Sequence, residues 1–171
     1  MSQKKKSSEI KGTQVRFNLR IGAGDSVRIS KKATLYVQNI INRELASLGR
    51  EMFDYLQISE KKTVKLKVLL NVLNKGRLQP LGLGELFLDK RYVESVPGKI
   101  SSSTSLRSLG EGITLGRKNG YSVSQEVREL IPVIARIILQ KIGHRAYGYT
   151  KAGNRRTISK SDVEAFQFNK I

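Results

Sequence analysis

The chain is 171 residues long and carries 32 Lys and Arg against 14 Asp and Glu, a formal net charge of +18. With no cysteine and a single histidine, His144, it holds no disulfide and lacks the side chains for a thiolate or multi-histidine metal site, so no metal or cofactor is expected. A hydrophobic content of 39% is ordinary for a folded core, and no run approaches the ~18 apolar residues of a membrane span. The expectation is a basic globular protein with affinity for polyanions.

Residues 1–14 are polar, with Lys4, Lys5 and Lys6 consecutive, and read as a flexible basic arm. No apolar stretch follows the charged start, so it is not expected to act as a secretory signal. The segment TQVRFNLRIGAG is interrupted by glycine and signals a short helix only weakly. After Ser30, a natural N-cap, the apolar positions Ala33, Val37, Ile40, Ile41, Leu45, Leu48, Met52 and Leu56 recur at spacings of three and four. That pattern predicts an amphipathic helix of about 26 residues. A basic segment, Lys61-Lys62-Thr63, follows with Val64 able to extend, and KLKVLLNVLNKG predicts a shorter helix stopped at Gly76.

The stretch 76–123 is broken by Pro80, Gly82, Gly84 and Pro97. It has room for a short helix around 85–96, and SSSTS at 101–105 reads as a linker.

An internal repeat organises the rest. Shifting the chain by 94 residues lays 27–73 over 121–167 without a gap. Ser30 meets Ser124, Ile40 meets Ile134, Leu45 meets Leu139, Leu48 meets Ile142, Gly49 meets Gly143 and Phe53 meets Tyr147. Lys61-Lys62-Thr63-Val64 falls on Arg155-Arg156-Thr157-Ile158. Two amphipathic helices can agree in phase by chance. They agree less readily in a capping Ser before and a basic-basic-Thr strand after, at the same distance. Pro132 lies inside the second long helix and is expected to kink or restart it. Tyr147 and Tyr149, at helical spacing, read as core or pairing contacts before base-stacking groups.

The unit is a loop, a long helix, a basic loop ending in Thr and a short helix. It resembles the histone fold, over roughly 15–77 and 106–169. ISKKA at 29–33 is similar to the start of the central helix in 2B-type histones, and RKNGYSVS at 117–124 to the approach to that helix in 2A-type histones. SVRIS and NKGRLQPLGLG also resemble a type-4 histone, which would make the second half type 3. Two such units in one chain resemble the fused histone doublets of large DNA viruses, the marseillevirus group in particular.

The resemblance implies an all-α protein with two histone folds in one chain, paired as an intramolecular histone-like heterodimer. Its parts would be an arm (1–14), a first 2B-like fold (15–77), a connector (78–105) and a second 2A-like fold (106–171). It also implies a non-enzymatic protein that wraps and compacts viral double-stranded DNA with little sequence specificity. Its partners would be other histone-like doublets of the type-4 and type-3 pair. It would be found in the virion, and in the host nucleus or viral factory during infection. A histone-fold regulator that reads a site, and a basic RNA-binding protein, remain as alternatives.

In a histone-fold pair each loop of one unit lies beside a loop of the other. DNA contacts are then expected from Arg28, Lys31, Lys32, Lys61, Lys62, Thr63 and Lys65 of the first unit. The second unit would contribute Arg117, Lys118, Arg155, Arg156, Thr157, Ser159 and Lys160. Lys and Arg neutralise phosphates, while hydroxyls and helix N-termini donate to phosphate oxygens. Arg28 is placed for insertion into an inward-facing minor groove, the way arginines hold nucleosomal DNA without base contacts. Asp162 is expected to clamp Arg155 or Arg156, whereas the first unit has Val68 at the matching position.

Overall fold

A computed structural model describes residues 10–24, 26–109 and 122–165. In chain order the elements are α1 (Gly12–Ala23), β1 (Arg28–Ile29), α2 (Lys31–Ile58), β2 (Thr63–Val64) and α3 (Leu66–Lys75). After a 3-10 turn at Gln79–Leu81 come α4 (Leu83–Leu86), α5 (Lys90–Ser95), α6 (Ser102–Ser108), β3 (Ser122–Val123), α7 (Gln125–Ala152), β4 (Thr157–Ile158) and α8 (Lys160–Glu164). All four strands are two residues long, so the described protein is helical in substance.

The two long helices, each of 28 residues, begin and end in register under the 94-residue shift. Each starts at a serine cap: Ser30 accepts a hydrogen bond from the Ala33 amide at 3.0 Å, and Ser124 from the Val127 amide at 3.4 Å. Every buried position of α2 except Thr34 falls on a buried position of α7. Neither helix finds enough apolar surface in its own short neighbours. The faces are buried by exchange between halves. α1 packs chiefly on α7, α6 packs on α7 and α2, and α8 packs on both long helices. Leu45, Leu48 and Met52 of α2 and Ile131, Ile134 and Leu139 of α7 are among the most completely buried side chains.

Gly49 and Gly143, matched by the repeat, both sit at close backbone crossings. A Cβ at Gly143 would overlap the Leu19 carbonyl of α1, and one at Gly49 would overlap the Leu109 carbonyl just after α6. The two glycines thus meet the end of a short helix in the same way, although α1 covers α7 far more extensively than α6 covers α2. Leu19 lies 11 residues before Ser30 and Leu109 lies 15 before Ser124, so four more residues separate the crossing from the serine cap in the second half.

Several local expectations give way to packing. Ile10 is fully buried, its amide donating to Asn42 at 3.2 Å and its carbonyl accepting from Gln38 at 2.8 Å, and α1 starts at Gly12. The polar arm is therefore shorter than residues 1–14. The SSSTS stretch is not a loose linker but most of α6. The Thr104 and Ser105 hydroxyls return to the Ser101 carbonyl, and Ser108 donates to Thr104 O and Asn42 Oδ1. Pro132 is buried within α7, which continues through it from Gln125 to Ala152 rather than restarting. The connector itself is tied down. Leu78, Leu81, Leu83, Phe87 and Ile100 are buried, and Gln140 donates to the Pro97 carbonyl at 2.8 Å.

Gly143→Ala and Gly49→Ala are each expected to destabilise the fold by about 1–3 kcal/mol, because the methyl meets backbone that cannot rotate away. Chemical denaturation of both variants, beside Gly148→Ala where a Cβ meets open space, checks this.

Candidate nucleic-acid interface

Each half contributes one strand from its first loop and one from its second, and each strand pairs with the other half. β1 runs parallel to β4 with Arg28 opposite Thr157, and β2 runs parallel to β3 with Thr63 opposite Ser122. The bonds are equivalent at the two ends. Arg28 N donates to Arg156 O at 3.2 Å and Ser30 N to Ile158 O at 3.0 Å. At the other end Ser122 N donates to Lys62 O at 2.9 Å and Ser124 N to Val64 O at 3.0 Å. The second loops also turn alike. Glu60 and Asn154, in register, both adopt positive φ, at 56° and 53°. Asn tolerates that conformation and Glu does so less readily.

The first ridge brings together Arg28, Lys31, Lys32, Arg155, Arg156, Thr157, Ser159 and Lys160. Arg28, Lys31, Lys32, Arg156 and Thr157 are all exposed. The second ridge brings together exposed Lys61, Lys62 and Lys65 with half-buried Thr63, whose hydroxyl lies 3.0 Å from that of Ser122. Arg117 and Lys118 lie outside the described residues.

Not every expected cation on the first ridge is free to reach outward. Arg155, rather than Arg156, makes the clamp: its Nη1 donates to Asp162 Oδ2 at 2.8 Å and its Nη2 to Oδ1 at 2.6 Å. Asp162, 4% exposed, also accepts from Thr150 Oγ1 at 2.8 Å, from Ser159 N at 2.9 Å and from Ser159 Oγ at 3.0 Å. The Arg155 guanidinium, with help from these donors and against the effect of burial, holds the carboxyl well below the usual carboxylate range. Ser159 caps α8 in a reciprocal box with Asp162, so its hydroxyl serves the helix. Lys160 sits 5.5 Å from the centre of the Tyr36 ring and 3.3 Å from Glu164. Val68 occupies the matching place in the first half at 2% exposure, leaving the loop of Lys61 without this brace.

Sequence reasoning missed Thr150 and Ser122. Ser122 stood in register with Arg28 and could have been found. Thr150 is hidden as one more helical position. Tyr147 packs against the core as expected, but Tyr149 is exposed and does not.

No protein-family model matches the sequence, and no curated protein matches it either. Among solved structures the histone from Methanopyrus kandleri is similar, with a TM-score of 0.65 at 19% sequence identity, over 91% of this chain and 91% of that one. The chain has a histone fold. Since the same share of each chain is covered, the neighbour is of similar length, and the likeness to the histone fold takes in both helical halves of this chain.

Asp162→Ala is expected to lower stability by about 2 kcal/mol, from the lost hydrogen bonds to a charged, buried group. A group with a depressed folded-state pKa stabilises fully above its unfolded value, near 3.9, and progressively less as the pH falls below it. The stability gap between wild type and Asp162→Ala should therefore be constant from neutral pH to about pH 5 and shrink below about pH 4. Urea denaturation across that range measures it.

Proposed function

We propose that this chain is a histone doublet, two histone folds paired within one polypeptide, that wraps and compacts double-stranded DNA without chemical catalysis. The observation that carries this reading is the in-register pairing of each half's first loop with the other half's second loop. It sets two basic ridges at opposite ends of a pair of crossed helices. Exposed lysines and arginines there suit the neutralisation of phosphates, a contact that carries no sequence information. Arg28, on a strand rather than a flexible tail, is the residue for an inward-facing minor groove.

The work is done on a viral genome, in the virion and, during infection, in the host nucleus or viral factory. What supports this is the resemblance of the ISKKA and RKNGY segments to fused viral histones. The same resemblance underlies the division into a 2B-like and a 2A-like half, and a partnership with doublets of the type-4 and type-3 pair. Four histone pairs share about 146–147 bp in a nucleosome, so one doublet would hold about a quarter of that.

Binding is expected to be sequence-tolerant and steeply salt-dependent. A site engaging six to ten phosphates loses roughly 10³–10⁵ in affinity between 50 and 200 mM salt. Competition between defined and random duplexes at fixed salt should show a preference well under 10³-fold, and nuclease digestion of complexes should leave discrete protected fragments. A larger preference would favour a site-reading regulator. Tighter binding to structured RNA than to duplex DNA would favour the RNA reading.

A further inference from the structure

Away from both ridges, α1, α7 and the connector frame a cleft of about 670 Å³. The connector lines it with Tyr92, Val96 and Pro97, α7 with Ile137, Lys141 and His144, and α1 with Gly22. At 1.5 Å per residue Lys141 stands at least about 16 Å from either end of α7. The opening is fixed by polar ties. Gln140 Nε2 donates to the Pro97 carbonyl at 2.8 Å. Asn18, fully buried, donates to the Lys99 carbonyl at 3.3 Å and accepts from Gln140 at 3.4 Å. Gly98, between those two carbonyls, turns the chain at φ 93°. Walls set before a ligand arrives leave less to be ordered on binding.

The charges around the cleft are one-sided. α1 carries Arg16 and Arg20 and no acid, and α7 carries no acid after Glu129, which lies about 18 Å along the axis from Lys141. The connector sets Asp89 and Glu94 against Lys90, Arg91 and Lys99. Asp89 caps α5 by accepting from the Arg91 amide at 2.9 Å, and neither acid lines the cleft. Lys141 is half-buried, and its ammonium enters no ion pair among the described residues. An aromatic and aliphatic surface thus adjoins a cation in want of a carboxylate. Duplex DNA is too stiff and too broad to send a base into such a cleft. A polypeptide can seat one apolar side chain there while its acidic neighbours meet Lys141. The repeat does not duplicate this chemistry, since Lys141 and Arg145, which also lines the cleft, fall on Ser47 and Glu51 in the first half.

We propose that this cleft docks an acidic segment of a partner protein, with one apolar side chain against Tyr92 and Val96 and a flanking carboxylate on Lys141. Because the ridges lie elsewhere, the segment and a duplex are held at the same time. Docking here is independent of the DNA-binding reading above.

The probe is a fluorescein-labelled, glutamate-rich peptide with one central phenylalanine, titrated by anisotropy at about 0.15 M salt, where attraction beyond about 8 Å is screened. Replacing the phenylalanine by glycine should weaken binding about tenfold, the effect of roughly 1.4 kcal/mol. Lys141→Gln should weaken it several-fold. Ser95→Trp, which fills the cleft from an exposed position, should erase the preference for the phenylalanine peptide and leave duplex affinity unchanged. Lys62→Gln, on the β2–β3 ridge, should weaken the duplex and leave the peptide unaffected. Thermal midpoints near wild type show that each variant is folded. Equal binding of the two peptides, or binding that Ser95→Trp and Lys141→Gln leave unchanged, means that surface charge alone holds them and overturns the docking site. A single-stranded oligonucleotide that displaces the peptide, and is itself weakened by Ser95→Trp, assigns the cleft to nucleic acid instead. If no duplex binds at low salt while the peptide behaves as expected, the DNA-binding reading fails and the docking site stands.

Discussion

Everything in this fold follows from one constraint: two 28-residue helices each carry an apolar face that no neighbour within their own half is long enough to cover. α1 has 12 residues and α3 has 10, so among the described residues the surface of matching length is the other long helix and the short helices it brings. Exchange between halves satisfies both faces at once. Once the helices cross, the loops at their ends must lie side by side, and the paired two-residue strands are the backbone's way of satisfying donors that the crossing has brought together. The glycines at 49 and 143 let the short helices come in close enough for the core to close. The ridges are thus a by-product of burying a core, and their spacing is set by helix length rather than by any contact within them.

That constraint was largely visible in the chain. Apolar phase, serine caps and the basic-basic-Thr segments recur at one offset, and the register they gave matches the ends of α2 and α7. The parts that were not visible are those where local preference loses to context. A run of Ser and Thr is a poor helix former because its hydroxyls compete for backbone carbonyls. In α6 those hydroxyls bond carbonyls of the helix itself, and Ser108 also reaches Asn42 on α2. Pro132 lacks an amide, which local rules treat as a break. Ile10 is one apolar residue in a polar stretch and shows no periodicity, yet it sits under α2.

The site was legible in kind and less so in detail. Residue type and spacing located the two loops and their cations, because charge and register are one-dimensional properties. Which cations are already engaged is not. Arg155 and Arg156 are adjacent and chemically alike, and only the path of the loop turns one toward Asp162 and leaves the other exposed. Lys160 over Tyr36 joins opposite halves, a contact that no local pattern announces.

The departures from symmetry have a common form. Among the described residues each half buries one carboxylate that the other replaces with an aliphatic side chain: Asp162 stands where the first half has Val68, and Glu44 where the second has Ile138. Each carboxylate meets an arginine that is about half exposed, Arg155 at 45% and Arg77 at 54%, so the charge is compensated without being sealed from water. Such pairs add modest net stability, and their larger effect is to fix geometry. They fix different things. Asp162 sets the shape of a loop on the first ridge. Glu44, with Glu51 accepting from the Arg77 amide, holds the chain where α3 ends and the connector begins. One half has its loop braced and the other has its exit braced, and it is this division that makes two copies of one unit into a single protein with distinguishable ends.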